Sequence, residues 1–462
     1  MLKLRPQQEV ILNFMKKNSA GAIEAPTGSG KTIAYLSFIS SEKTLVSVHT
    51  KALQEQVKKE ALRLNLEAST IKGKNNYICP LLEEKTQNKL PPPSFCKPAC
   101  HKAPSCEYMS AKTSNAQIHI VNHSLLNFIK HNYDLCIIDE AHELSIQQMR
   151  ISKDDLKELN SIETYREKLK EIENQLDKDF IPFTDSFLSK VKLFFKSSVD
   201  KNLVILYTEL AKKLKKLESI QKALESNYYL FETPSDLILT SLPKLPNTPK
   251  LFLFSATLNR LLLNLMGFSY PILEIPKVFD WSKVTIIVKN TDYREPNYLQ
   301  VLSDSYRYLR SVYDKTIVLA TSMEQLNFFE RLDQSLLSQK NFTASELAEK
   351  LIKGNAPAIA GLLSLWTGID IPGRKAILIT KLPYENPSSE EAKAKQEFLK
   401  KLGVDPFEWA TQEALIKFKQ GIGRMMRTPD DEGLIVIADK RALKEPFRSF
   451  LEELGANLVF DK

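Results

Sequence analysis

Ala25-Pro26-Thr27-Gly28-Ser29-Gly30-Lys31-Thr32 follows the apolar run GAIEA at 21–25 and precedes a helix-like run. It is a compact relative of the phosphate loop G-x-x-x-x-G-K-[ST], with Ala25 at the first glycine position. Backbone N–H groups in such a loop converge on phosphates at a helix N-terminus. Thr27, Gly28, Ser29 and Gly30 form the cradle, Lys31 neutralises the β/γ charge, and Thr32 ligates Mg2+. The flanks support this reading. GAIEA and TLVSVH read as buried strands, while PQQEVILNFMKK and ALQEQVKKEALRL read as helices. Strand and helix in alternation predict a parallel sheet covered on both faces.

Downstream, Asp139-Glu140-Ala141-His142 ends the apolar run DLCIID. A carboxylate at the C-terminal end of a buried strand is where a phosphate-loop fold places its Mg2+ partner. Asp139 is therefore the metal-side acid, and Glu140 the group that polarises attacking water. Far along the chain, Gln420-Gly421-Ile422-Gly423-Arg424-Met425-Met426-Arg427 carries two arginines three apart. Arginine offers a planar, permanently charged fork to phosphate oxygens. On a helix both would face one way, so a second α/β domain packed on the first could present them as arginine fingers. Strand candidates for that second domain are TIIVK, TIVLAT, AIAGLLSL, AILITKLP and GLIVIAD, with LFLFSAT at 251–257 closing the first.

Composition narrows the class. The chain has 462 residues, 43% hydrophobic and 26% charged, which excludes a mainly disordered or fibrous protein. No apolar run nears 18 residues, so no membrane span is expected. MLKLRPQQEV lacks the apolar core of a signal peptide, which places the protein in the cytoplasm, with the nucleoid if the source is prokaryotic. Lys plus Arg total 64 against 56 acids, a formal +8 compatible with a polyanionic partner. Glycine is scarce at 14, and none lies between Gly73 and Gly267. Glycines kept in so poor a chain mark places where a backbone needs them, and Gly421 and Gly423 read as close-approach positions.

Of five cysteines, Cys79, Cys96, Cys100 and Cys106 crowd into 28 positions. In a long chain without a secretion signal, four thiols so close suggest a metal site more than disulfides. They suffice for tetrahedral zinc or an iron–sulfur cluster, and spacing alone does not choose. Cys136, in the strand before Asp139, reads as a core residue, and His101 as a loop residue. Lys72, Lys74, Lys85, Lys89, Lys97, Lys102 and Lys112, with Tyr77 and Tyr108, fit either a single-strand path or a solvated face. From Leu156 through Ile162, Leu169 and Leu176, and again from Leu206 to Leu224, leucines and isoleucines step by three or four. That stripe predicts a helical insert. Its KKLKK at 212–216 reads as solvent-facing.

These motifs and their order resemble superfamily 2 helicases, specifically the XPD/DinG-like iron–sulfur group. Arg5-Pro6-Gln7-Gln8 resembles its adenine-side Q motif, with Gln8 as the glutamine. VHTKALQEQ at 48–56 resembles motif Ia, and Lys72 to Cys79 the lead-in to the first cluster cysteine. Val121-Asn122-His123 resembles a segment before the DEAH box, and Phe254-Ser255-Ala256-Thr257-Leu258 motif III. Ser364-Leu365-Trp366-Thr367-Gly368-Ile369-Asp370 resembles motif V, with Thr367 where Glu is usual, and 420–427 motif VI. The resemblance implies two RecA-like parallel-sheet motor domains, with an iron–sulfur insert and an arch-like helical insert in the first. Motor domain 1 would take 1–72, 116–149 and 236–278, the cluster insert 73–115, the arch 150–235, and motor domain 2 279–462. It implies ATP as ligand, with Gly368, Asp370 and Gln420 added to the nucleotide site, and a [4Fe–4S] cluster on the four cysteines. It implies a monomeric 5′→3′ motor on single-stranded and forked duplex DNA, in repair or replication-associated processing. A translocase on RNA–DNA hybrids, or a DNA-binding regulatory module with a vestigial ATPase, are the competing functions.

Overall fold

The apolar runs become strands of two parallel sheets in the computed structural model, which describes residues 3–26, 28–80, 83, 105–128, 132–177, 201–225, 228–367 and 370–461. The strands of the first half are β1 Ala20–Glu24, β2 Thr44–Val48, β3 Ala68–Ile71, β4 Ile118–Asn122 and β5 Leu135–Asp139. A small group follows, β6 Gln147–Ser152, β7 Tyr229–Glu232 and β8 Asp236–Ser241, and then β9 Lys250–Ser255 and β10 Ile272–Glu274. The second half holds β11 Val284–Val288, β12 Thr316–Leu319, β13 Leu337–Ser338, β14 Ala358–Gly361, β15 Lys375–Ile379, β16 Gly433–Ile437 and β17 Asn457–Phe460.

The first sheet runs β10-β1-β9-β5-β2-β4-β3 and the second β13-β14-β12-β15-β16-β11-β17, every neighbour parallel. Parallel strands are buried on both faces, so they read as unbroken apolar runs. Alternate residues feed opposite cores. Ala22, Cys136, Ile138 and Leu253 point into one, and Ile23, Ile137, Phe252 and Phe254 into the other. The latter is closed by helices Pro6–Lys17, Lys31–Phe38 and Lys51–Arg63. Crossovers set β1, β9 and β5 side by side, with Glu24 beside Ser255 and Asp139 beside Phe254. The ends of the phosphate-loop strand, the 254–258 strand and the Asp139 strand therefore meet at one edge.

Between β5 and β9 the chain builds an antiparallel sheet β6-β8-β7 carrying helices Lys153–Glu158, Ile162–Asp177 and Lys201–Leu224. The helical insert is present, but its sheet spans 147–241, a few residues outside the expected 150–235. Ile162, Leu169, Ile172, Leu217 and Ile220 are buried along the stripe, while Leu206 is exposed. In KKLKK, Lys213 pairs with Glu158 and Lys216 with Asp155, each at 2.7 Å. These two lysines serve the insert. Among the described residues no helix is long and apolar enough to cross a membrane.

Two features depart from the sequence reading. AIAGLLSL is not one strand: β14 stops at Gly361, and 363–367 are helical. Nor is 279–462 self-contained. Helix Glu390–Lys401 and the start of helix Pro406–Ile422 put Phe398, Leu399 and Trp409 into a core of the first sheet. Beside them, Arg150 of β6 pairs with Glu390 at 2.7 Å and Glu391 at 2.8 Å, and the Phe398 ring meets Tyr229 of β7.

The later part of helix Pro406–Ile422 belongs to the second half, where Gly421 lies against Trp366. A Cβ there would sit 2.6 Å from the Trp366 ring, which is fully buried and donates through Nε1 to the Ala320 carbonyl. Trp366 is thus a core residue, and the missing Cβ of Gly421 makes room for it. Gly421→Ala should destabilise the second half by about 1–3 kcal/mol through overpacking. Denaturant unfolding followed by tryptophan fluorescence would read this, and an unchanged midpoint would show that Trp366 has room to shift.

Candidate active site

The loop after β1 turns on two glycines in the left-handed region, Gly28 at φ +83° and Gly30 at φ +78°. Gln8 holds it from the first helix: its Oε1 accepts the Arg5 N–H at 2.8 Å and its Nε2 donates to the Gly30 carbonyl at 3.2 Å. Arg5 Nη1 donates to the Gly28 carbonyl at 3.1 Å. Gln8, expected at the adenine, also braces the loop itself. Ser29 is buried and its Oγ donates to the Pro26 carbonyl at 2.7 Å. Lys31 opens helix Lys31–Phe38, buried, with Nζ donating to the Ala25 carbonyl at 2.9 Å. Thr27 lies outside the described residues.

Asp139 ends β5 buried, and its Oδ2 accepts from Tyr35 Oη at 3.0 Å. Burial pushes its carboxyl up to about 6, and the neighbouring Glu140 charge adds to this, against Lys31 and the Tyr35 hydrogen bond. Tyr35 also bonds to the Thr32 side chain. It thereby links the two oxygen donors, Thr32 and Asp139, that fit a hard cation such as Mg2+. Glu140 has φ +56°, ψ 47°, a strained conformation for a residue with a Cβ. Burial pushes its carboxyl up, but Lys31, His142 and Arg424 outweigh this and hold it below the usual range. His142 Nδ1 stands 3.2 Å from Glu140 Oε2 and 2.7 Å from Ser255 Oγ. Ser255 Oγ donates to the Thr257 carbonyl at 2.7 Å and accepts the Thr257 N–H at 3.0 Å. The 254–258 segment is therefore hydrogen-bonded to the residue beside Glu140.

The second half supplies the other wall. Helix Pro406–Ile422 ends before the arginines, with Gln420 half-buried in its last turn, so Arg424 and Arg427 lie on the turn beyond it. They converge nonetheless. Arg427 Nε lies 3.0 Å and Arg424 Nη1 3.9 Å from Asp370 Oδ1. Arg424 Nε donates to the Trp366 carbonyl at 2.8 Å. Burial, and then Arg427, push the Arg424 guanidinium down to about 9, opposed by Asp370 and Glu140. Burial also lowers Arg427, against Asp370, Glu140 and Asp431. Both guanidinium groups thus act electrostatically on the carboxylate of the first half. Gly368 lies outside the described residues.

Sequence comparison gives this arrangement relatives. The Helicase C-terminal domain family matches residues 290–455, and the family described as type III restriction enzyme, res subunit, matches 1–184. The ATP-dependent DNA helicase YoaA of Escherichia coli is 22% identical over 97% of this chain and 93% of its own. The chain is similar to the XPD/DinG-like superfamily 2 helicases. The 3'-5' exonuclease DinG of Staphylococcus saprophyticus is 23% identical over 98% of this chain and 69% of its own. A solved XPD helicase structure, 18% identical, shares the fold with a TM-score of 0.66 over the full length of both chains.

The cysteine insert of this helicase is described at its two ends. Cys79 and Cys106 are buried, and the Tyr77 and Tyr108 rings touch with centroids 5.4 Å apart. Tyr77 is buried and accepts the Lys72 N–H at 2.9 Å, so it is not a free stacking platform for a base. Lys72 pairs with Glu55 at 2.8 Å. Cys96, Cys100, His101, Lys85, Lys89, Lys97 and Lys102 lie outside the described residues. Cys136 is fully buried, and burial pushes its thiol up to about 12, as suits a core residue.

Two site residues escaped the sequence reading. Tyr35 sits four residues after Lys31, where it reads as a core aromatic of an amphipathic helix. Asp431, in TPDDEG, reads as a surface turn. It is instead fully buried and accepts from the backbone N–H groups of Gly373 and Arg427 at 2.6 Å each and of Thr428 at 2.9 Å. Its Oδ2 also lies 3.3 Å from Nζ of buried Lys375. Asp431 thus fixes the turn that aims Arg427. Burial alone would raise its carboxyl, but these N–H donors and Lys375 hold it below the ordinary 3.8. A depressed carboxyl stabilises the fold above its unfolded value and loses that contribution as pH falls through the folded value. Asp431→Ala should therefore cost about 3–5 kcal/mol at neutral pH by leaving Lys375 buried and unpaired. The difference from wild type should shrink in acid denaturation below about pH 4, whereas equal stability at pH 7 would contradict the assignment.

Proposed function

We propose that the chain is an ATP-driven DNA helicase that moves 5′→3′ along a single strand and opens duplex at a fork, with a [4Fe–4S] cluster in its cysteine insert. The observation that supports this reading is electrostatic: Arg424 and Arg427 of the second half act on Glu140 of the first, whose carboxyl Lys31 also holds down and which follows Asp139 in the chain. An ATP seated on the loop would draw Lys31 off the Ala25 carbonyl onto its phosphate oxygens. When bound through Thr32 and Asp139, Mg2+ would supply charge neutralisation at those phosphates. Glu140 would accept the proton of the attacking water, and the two arginines would stabilise charge on the transferring phosphoryl group. Because the arginines and Glu140 belong to different halves, hydrolysis changes what holds the halves together. That is the requirement for a motor.

The direction of movement, the fork substrate, the monomeric state and a role in repair or replication-associated processing rest on the family resemblance. A site of action in the cytoplasm, with the nucleoid if the source is prokaryotic, goes with a DNA substrate. The cluster rests on the soft thiolate donor set, with Cys79 and Cys106 buried beside the ring contact that closes the insert's ends.

An unwinding assay on forked DNA tests the motor. Wild-type protein should displace a strand only with ATP. Lys31→Ala should lose hydrolysis, and Glu140→Gln should bind ATP without turnover, since an amide cannot act as the base. Near-normal turnover in either variant would contradict the site. Protein purified without oxygen should be brown and contain iron, and Cys106→Ser should lose the colour and the unwinding. Stoichiometric zinc without iron would overturn the cluster.

A further inference from the structure

Helix Pro406–Ile422 is one rod with its two ends in different cores. Asp405 caps it by accepting the Phe407 N–H at 3.0 Å, and after Pro406 in the first turn no proline interrupts it. Trp409 lies with Phe398 and Leu399 in a core of the first sheet. Ala414, Leu415, Phe418 and Ile422 lie in a core of the second half, and the arginine turn follows directly. About 20 Å of helix thus joins the Trp409 seat to Arg424 and Arg427. The Trp409 end is held again from its flank. Lys395 of helix Glu390–Lys401 is 2.7 Å from Glu385 and 3.4 Å from Glu413 of the rod, and Gln148 of β6 donates to the Glu391 carbonyl at 2.9 Å.

One atom in this seat is unsatisfied. Trp409 is 1% exposed, and its Nε1–H is buried with no acceptor among the described residues. A buried indole N–H normally finds one, as that of Trp366 does at the Ala320 carbonyl. A buried donor left unpaired destabilises the arrangement that leaves it so. In that same arrangement Lys31 donates to the Ala25 carbonyl.

We infer that Trp409 is a positioning residue for Arg424 and Arg427, and that its unpaired N–H favours the arrangement of the two halves that grips ATP. The inference rests on the helicase reading above. When ATP draws the arginine turn towards its phosphates, the rod carries the movement to its other end. There the indole shifts until its N–H reaches a carbonyl or water at the rim of the core. The gain belongs to the ATP-bound arrangement alone, so it adds to the affinity for ATP. A side chain seated in the first half thereby sets how readily the second half's arginines close on the nucleotide.

The test follows the indole N–H itself. With nitrogen-15 tryptophan the chain gives three indole N–H resonances, from Trp281, Trp366 and Trp409. That of Trp409 is identified by its loss in Trp409→Phe, or by elimination with Trp281→Phe and Trp366→Phe if that variant folds poorly. It should lie upfield, as an unbonded donor does, and move downfield when ATP is added to Glu140→Gln protein. Trp409→Phe keeps a ring in the seat without the N–H. It should raise the KM for ATP in strand-stimulated hydrolysis by about fivefold or more while kcat stays near wild type. A merely structural role would loosen the rod, misplace the arginines and lower kcat instead. A Trp409 resonance that ATP leaves in place, a wild-type KM in Trp409→Phe, or a lowered kcat without a raised KM would overturn the proposal and leave the helicase reading intact. Wild-type protein that neither binds nor hydrolyses ATP would overturn both.

Discussion

A half-buried carboxylate must be kept ionised, and the rest of the structure follows from how that is done. Glu140 is desolvated, which favours the neutral acid, yet the charges of Lys31, His142 and Arg424 overcome this. Those three residues arrive by different routes: Lys31 from the loop after β1, His142 from the turn after β5, Arg424 from the far half of the chain. Three parts of the fold thus contribute charge that keeps this base ionised. The left-handed backbone at Glu140 adds strain that only a surrounding structure can hold. Tyr35, Ser255 and Asp431 are the parts that keep the contributors in place.

The two halves also meet away from the nucleotide cleft, at helix Glu390–Lys401. Its ion pairs with Arg150 are exposed, and such pairs contribute little, typically under about 1 kcal/mol. Burying an apolar side chain contributes about 1.5–3 kcal/mol, so Phe398, Leu399 and Trp409 decide this contact. The same helix touches β7 and β6 of the insert. One element thus adjoins both the first sheet and the small antiparallel sheet, which gives rearrangement between the halves a physical connection to the insert.

Most of the fold is legible in the sequence because parallel strands buried on both faces are written as apolar runs. In the two parallel sheets the strands that escape, β3, β10, β13 and β17, are the edge strands, where half-exposed positions dilute the pattern; the antiparallel sheet β6-β8-β7 escapes as well. AIAGLLSL misleads because apolarity continues past Gly361 into a helix whose Leu365 and Trp366 are buried. There a Cβ would sit 2.4 Å from the Gln339 amide oxygen. Site residues were legible where chemistry demands a residue type at a spacing, as with Lys31, Asp139, Glu140 and the arginines. Tyr35 and Asp431 were not, since their roles depend on strand order and on a turn that only the folded chain brings onto Lys375. The helical spacing of Arg424 and Arg427 suggested a shared face. They share one for another reason, a turn held by Asp431.

The central claim is that one site is built from two halves, and the arginines test it most directly. Hydrolysis at saturating single-stranded DNA and strand affinity without ATP should be measured on Arg424→Ala and Arg427→Ala. If these groups stabilise the transferring phosphoryl group across the cleft, hydrolysis falls steeply, by as much as about 10³–10⁵-fold as for arginine fingers generally, while strand affinity holds. Retained hydrolysis with weaker, salt-sensitive strand binding would instead make them a basic surface turn and contradict the account.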